Sequence, residues 1–318
     1  MSRIEKLLDA LLNGESVDIV PQSRSEEYLL ALLQGEKNVG NPKSRLGAYL
    51  YALCQKGVSG GELQDKTITE NGSYTADEGY DGLGTVTVDV ASSNEDLLEA
   101  RLNNTLTEYS NDKITGIPAY AFATCSSLTS ANFPACTSIN ASAFSGCIKL
   151  TTINAPACSI IGSGAFSACY KLTSVDFPVC TLIKENAFYY CEILTTANFP
   201  LCSYIGNSAF RACYELTSVD FQLCSYIGSS AFQQCRLLTT ANFQLCSYIG
   251  INAFNDCRLL TTIYLLASSV CRLVGSNAFT STPIASGTGS IFVPMSLVDA
   301  YKTATNWTYF SNVIYGVE

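Results

Sequence analysis

An Ala-Phe pair recurs along this chain at fixed spacing, with its phenylalanine at Phe122, Phe144, Phe166, Phe188, Phe210, Phe232, Phe254 and Phe279. Six successive intervals are 22 residues and the last is 25. The first seven are each followed three positions later by a cysteine (Cys125, Cys147, Cys169, Cys191, Cys213, Cys235 and Cys257). From Phe144 onward a second cysteine stands eight positions before each phenylalanine, from Cys136 to Cys271. The working unit reads I-G-x-x-A-F-x-x-C-x-x-L-T-x-x-x-F-P-x-C-x-x. So strict a period does not describe a globular core; it describes one lap of a solenoid repeated about eight times.

Within a lap, Leu172-Thr173-Ser174-Val175-Asp176-Phe177-Pro178 has the alternation of a strand, ended by a proline that cannot donate to a ladder. Stacked laps about 4.8 Å apart give a parallel β-ribbon about 38 Å long. The A-F-x-x-C-x-x-L arc is too short for a regular helix and is expected as a turn. One lap alone buries too little to offset the ordering of 22 residues, so stability must come from stacking. The expected core ladder is Phe144, Phe166, Phe188, Phe210 and Phe232 with Cys147, Cys169, Cys191, Cys213 and Cys235.

This framework resembles the BspA-type leucine-rich repeats of bacterial surface and phage-borne proteins, over roughly residues 114–280. The resemblance implies a leucine-rich-repeat solenoid with a parallel β-ribbon (α/β superhelix class, mostly β and turns) and a role in binding. Proline after the strand gives way to Gln222, Gln244 and Leu266 in the last laps, which puts only the local turn in question.

The chain has no histidine, which removes Ser-His and Cys-His catalysis, histidine metal sites and histidine pH switches. Asp176 and Asp220 lie two laps apart in a solvated ladder with no acid or base partner, so no enzyme is expected. The fifteen cysteines admit three readings: disulfides, a metal cluster, or buried free thiols. No C-x-x-C pair occurs, and parallel side chains in one column strain a bridge. Buried thiols, a cysteine ladder without metal or cofactor, are the favoured reading, one that suits a reducing cytoplasm or an anaerobic habitat.

Residues 1–113 carry 10 basic and 19 acidic side chains, whereas residues 114–318 carry 8 of each. An acidic head thus precedes a neutral body, which argues against nucleic acid and anionic lipid as partners. No signal peptide and no membrane-inserting stretch is recognised, so the protein is expected to be made in the cytoplasm.

Three surfaces are candidates for binding. Along the strand, Thr129, Thr151, Thr173, Thr195, Thr217, Thr239 and Thr261 never change, and a second outward column reads Asn132, Asn154, Asp176, Asn198, Asp220, Asn242 and Tyr264. This face is either a platform for sugar or protein, or a ladder of cross-lap hydrogen bonds that keeps the sheet soluble. Variation concentrates on an edge at Tyr170, Tyr189, Tyr190, Arg211, Tyr214, Arg236 and Arg258. These are hot-spot residue types, although drift on an unconstrained edge would look the same. A third, aromatic column is Tyr204, Tyr226 and Tyr248.

Residues 1–62 form an expected acidic three-helix head with a 21-residue repeat: Ser2-Arg3-Ile4-Glu5, Ser23-Arg24-Ser25-Glu26 and Ser44-Arg45-Leu46-Gly47. The first two fit capping boxes, and the helices pack on one another or on a partner. Residues 63–93 read as a small β-hairpin module, with an Asn71-Gly72 turn and alternating Val86, Val88 and Val90. Residues 94–113, with a helix from Asn94 to Leu102, are an expected N-terminal cap of the solenoid. Residues 281–318 are an expected C-terminal strand-helix cap: Ile291–Pro294 as last strand, Ser296 capping a helix to Thr303, and Trp307 and Phe310 sealing the end. The S-R-x-E-x-L-L helices and the I-T-E-N-G-S-Y-T segment resemble N-terminal modules of tail-associated virion proteins from prophages of low-GC Gram-positive bacteria. The chain is therefore read as a non-enzymatic binding or adhesion protein on a phage or prophage tail particle. It would recognise a protein or glycan on a cell surface and attach to the virion through residues 1–60. A BspA-like bacterial cell-surface adhesin and a structural spacer are the alternatives.

Overall fold

The computed structural model describes residues 106–318 together with the backbone of two strands, Lys66–Ile68 and Thr85–Val88. The helical head, the Asn71-Gly72 turn, and the helix expected over Asn94–Leu102 lie outside the described residues. The rest is a β-solenoid in which every 22-residue lap sits in register on its neighbour, as in Ser130↔Thr152 and Ser174↔Thr196.

Each lap carries two strands rather than the one expected. The expected strand is three or four residues long, for example Ser174–Asp176 and Thr240–Phe243. The second has only two residues, from Gly116–Ile117 to Arg272–Leu273, and builds an unbroken eight-stranded parallel ladder. Its isoleucine points into the core while the residue before it faces outward. Two residues give no readable alternation, which is why the period-2 signal misses this ladder. In several laps the residue after the isoleucine is glycine, because the laps touch: a Cβ on Gly250 would lie 2.5 Å from the Ser229 backbone nitrogen.

A third set of cross-lap bonds pins the Ala-Phe turn. The Phe122 amide donates to the Ala143 carbonyl of the next lap at 2.7 Å, and the Phe144, Phe166, Phe188 and Phe210 amides repeat the bond at the same length. The turn closes tightly enough to place residues on both sides of the phenylalanine in the left-handed region, such as Ser208 (φ 54°) and Ala212 (φ 62°). The phenylalanines stack, with centroids 5.3 Å apart for Phe144–Phe166 and 5.1 Å for Phe188–Phe210.

The first-column cysteines serve the phenylalanine carbonyls of the same turns. The Cys191 thiol donates to the Phe166 carbonyl of the preceding lap at 3.2 Å, and Cys147, Cys169, Cys213, Cys235 and Cys257 do likewise. The second column donates within its own lap, as Cys202 does to the Tyr204 carbonyl at 3.3 Å. Every cysteine from Cys136 to Cys271 is a buried free thiol. Burial pushes Cys158, Cys180 and Cys202 up to about 12, so they stay protonated donors.

The long ladder continues past both expected boundaries. Glu108–Asn111 pairs in parallel with Ser130–Asn132 on one side and with Thr85–Val88 on the other, and Lys66–Ile68 pairs in parallel with Thr85–Val88. At the far end Ser290–Pro294 is not the last strand, because Ile314–Val317 returns parallel to it. Ser296 does not cap the helix either. It falls in a 3-10 turn, Met295–Leu297, and the α-helix Val298–Thr303 begins after Leu297 without a side-chain cap. Trp307 and Phe310 do close the core, with centroids 6.2 and 5.3 Å from Phe279. The Trp307 indole N–H donates to the Cys271 carbonyl at 2.6 Å.

Two outcomes follow. Phe188→Ala should cost about 3–5 kcal/mol, read by urea unfolding, because the cavity opens between stacked laps. With a thiol reagent at pH 8, the buried cysteines from Cys136 to Cys271 should react only on unfolding.

Candidate functional site

The turn edge presents three outward columns: the two residues after each phenylalanine and the one after each first cysteine. The first column holds Tyr189 and, one lap on, Arg211; the third holds Tyr214 and, one lap on, Arg236 and then Arg258. Lap stacking therefore brings Arg211 and Arg236 each over a tyrosine. The Arg211 guanidinium lies 5.6 Å from the Tyr189 ring centroid, and Arg236 lies 4.5 Å from that of Tyr214. Tyr190 occupies a left-handed position (φ 59°) in the middle column, which turns its ring edge-on against Tyr189 at 4.4 Å. Burial, and then the hydrogen bond with Tyr190, holds the Tyr189 phenol above its ordinary value. Tyr214 is raised by burial and then by Tyr190, with Arg236 pulling the other way. The phenols are thus neutral donors throughout the physiological range.

Arg258 is held differently. Its Nε donates to Asp256 at 2.7 Å, and Asp256 also reaches Arg236 at 3.8 Å. Asp256 was not singled out by sequence reasoning; its position two residues before Arg258 was the available signal. Tyr170 is exposed and makes no ring contact among the described residues. Structure thus gathers Tyr189, Tyr190 and Arg211 in one group, and Tyr214, Arg236 and Arg258 around Asp256 in another, leaving Tyr170 apart.

The tyrosine column lies on the two-residue ladder. Tyr204, Tyr226 and Tyr248 stack nearly parallel at 4.6 and 4.5 Å, and the Arg272 guanidinium covers the end of the stack at 5.7 Å from Tyr248. Arg272 is a further residue the sequence reading missed, since the long lap shifts it from the 22-residue count. Leu201, Leu223 and Leu245, each three residues before a tyrosine of this column, are exposed.

On the sheet face, the threonine hydroxyls donate to the threonine carbonyl one lap earlier, as Thr195 does to Thr173 at 3.0 Å. The asparagines bond from lap to lap as well, Asn154 to Asn132 at 2.7 Å. Thr129, Thr151, Thr195, Thr239 and Thr261 all make this cross-lap bond. Among the described residues no group of three or more His, Cys, Asp or Glu side chains comes together, and no helix is long and apolar enough to cross a membrane.

A family model described as BspA type leucine rich repeat region (6 copies) matches the chain twice, over residues 103–216 and 181–294. Among solved structures, a leucine-rich-repeat protein from T. pallidum is 21% identical, with 62% of this chain and 78% of that chain covered and a TM-score of 0.36. A leucine-rich cell surface protein from Faecalibacterium prausnitzii is 18% identical, covering 78% and 91% at a TM-score of 0.29. An internalin from Listeria monocytogenes is 11% identical, covering 63% and 60% at a TM-score of 0.39. No curated protein matches the chain.

The arginine–tyrosine contact is measurable. A double-mutant cycle of Tyr214→Leu and Arg236→Met, followed by urea unfolding, should give a coupling of about 0.5–1 kcal/mol. Zero coupling would show that the stacked pair is not held in solution.

Proposed function

The chain belongs to the BspA-type leucine-rich-repeat family, and on that premise we propose that it is a non-enzymatic binding and adhesion protein whose Tyr–Arg edge recognises a protein or glycan on a cell surface. The observation that carries this reading is the packed group of Tyr189, Tyr190 and Arg211 beside Tyr214 and Arg236. Tyrosine and arginine are enriched at binding hot spots, and side chains already stacked on a rigid edge lose less freedom when a ligand docks. The interior supports the same division of labour, because the thiols and phenylalanines are consumed by packing and cross-lap bonding and leave recognition to the surface.

We further propose that residues 1–60 attach the protein to a phage or prophage tail particle. Support comes from the sequence: the net negative charge carried by residues 1–113, the S-R-x-E repeat, and the resemblance to tail-associated modules. Display on a bacterial cell surface is the second reading, favoured by the family itself.

Tyr189, Tyr190 and Tyr214 changed together to Ser should abolish adhesion to target cells while the solenoid stays folded with only a small fall in melting temperature; undiminished adhesion rejects the edge. Removing residues 1–60 should leave a folded solenoid that no longer enters particles, and normal incorporation would reject the head as the attachment device.

A further inference from the structure

The long ladder is broken twice, between Asn154 and Asp176 and between Asn198 and Asp220, so that its strands fall into sheets of five, two and five. Both breaks lie where an asparagine is followed one lap later by an aspartate. Wherever an asparagine follows in an intact step of this column, its amide donates backwards: Asn154 to Asn132 at 2.7 Å, Asn198 to Asp176 at 2.7 Å, Asn242 to Asp220 at 2.9 Å. A carboxylate has acceptors only, so Asp176 receives from Asn198 but offers nothing to Asn154, and Asp220 offers nothing to Asn198. The neighbouring rungs fail at the same places. The amide of Thr151, Thr195, Thr239 and Thr261 donates to the threonine carbonyl one lap earlier at 2.8–3.0 Å, whereas Thr173 and Thr217 make no such bond among the described residues. The two-residue ladder and the phenylalanine stack run through both breaks intact.

The second break opens a groove of about 270 Å³ lined by Thr196, Asn198, Pro200, Ser218, Asp220 and Gln222. Gln222 donates to Asp220 at 3.0 Å, but neither Asp176 nor Asp220 joins an ion pair among the described residues. Each break thus sets an amide oxygen against a carboxylate across a gap and leaves one negative charge unmatched.

We propose that the two breaks receive the guanidinium groups of an arginine-bearing segment of a partner protein, one at Asn154–Asp176 and one at Asn198–Asp220. A guanidinium carries donors only, in a planar fork that can bond both laps at once, and brings the charge each break lacks. A neutral sugar hydroxyl leaves that charge unpaired. A hard cation finds too few protein oxygens, since calcium takes about 6–8 ligands. The breaks are two laps apart, about 10 Å by strand spacing. Three residues of polyproline II cover about 9.3 Å and return side chains to one face, so the fitting motif is Arg-x-x-Arg. This face is separate from the Tyr–Arg edge, and the inference stands whether or not that edge binds.

The test is fluorescence anisotropy of the full chain with a labelled peptide containing Arg-Pro-Pro-Arg, against the same peptide with citrulline, a neutral isostere, at both positions. The arginine peptide should bind, weaken with added salt, and exceed the citrulline peptide by at least about tenfold. Asp176→Asn with Asp220→Asn supplies the missing donors and should remove the difference between the peptides without lowering the melting temperature; if the double variant fails to fold, each single variant should lose part of it. Equal binding of the two peptides, undiminished binding by the folded double variant, or no binding of the arginine peptide each overturns the proposal. So does a calcium-dependent rise in melting temperature that the variant lacks, if the peptide does not bind, because the breaks would then serve a metal ion.

Discussion

Every segment of a lap makes hydrogen bonds to the lap beside it, and that constraint governs the rest of the structure. Strand amides reach back 22 residues, turn amides reach forward 21, and thiols of the first column reach back 25 to the phenylalanine carbonyl. A backbone carbonyl in a dry interior costs free energy unless a donor reaches it. Each phenylalanine carbonyl takes the amide of the cysteine three residues on, and from Phe122 to Phe232 a thiol from the next lap adds a second donor that alanine or valine cannot supply. Phenylalanine is held by the same geometry, because its amide, its carbonyl and its ring each have a partner in an adjacent lap.

Once the interior is committed in this way, chemistry is left to the outside. Thiols raised by burial and occupied as donors are poor nucleophiles and poor ligands. Outward positions are free to vary, and stacking turns any change in one lap into a neighbour relation with the next. Arg211 over Tyr189 and Arg236 over Tyr214 arise in this manner, as do the Tyr204–Tyr226–Tyr248 stack and the acceptor-against-acceptor steps at Asp176 and Asp220. Each is a relation between residues 22 apart, invisible in either residue alone.

Most of the solenoid was legible because its period is a physical length: the Ala-Phe and cysteine columns report directly which atoms lie over which. The two-residue ladder was not legible, since no alternation develops over so short a strand. The closing strand Ile314–Val317 was missed because it lies beyond the repeat and its residues fall outside the 22-residue pattern. Ser296 misled because a serine before an apolar residue suits a cap, while here a 3-10 turn intervenes. At the candidate edge the tyrosines and arginines stood out by type, but their pairing, and the bridging role of Asp256, required the lap geometry.

Residue-resolved hydrogen exchange under native conditions tests the central claim most directly. The amides of Phe144, Phe166, Phe188, Phe210 and Phe232, though each sits in a turn, should exchange only through global unfolding and at closely similar rates. Rapid or widely scattered exchange at these five amides would contradict the lap-to-lap bonding on which the account rests.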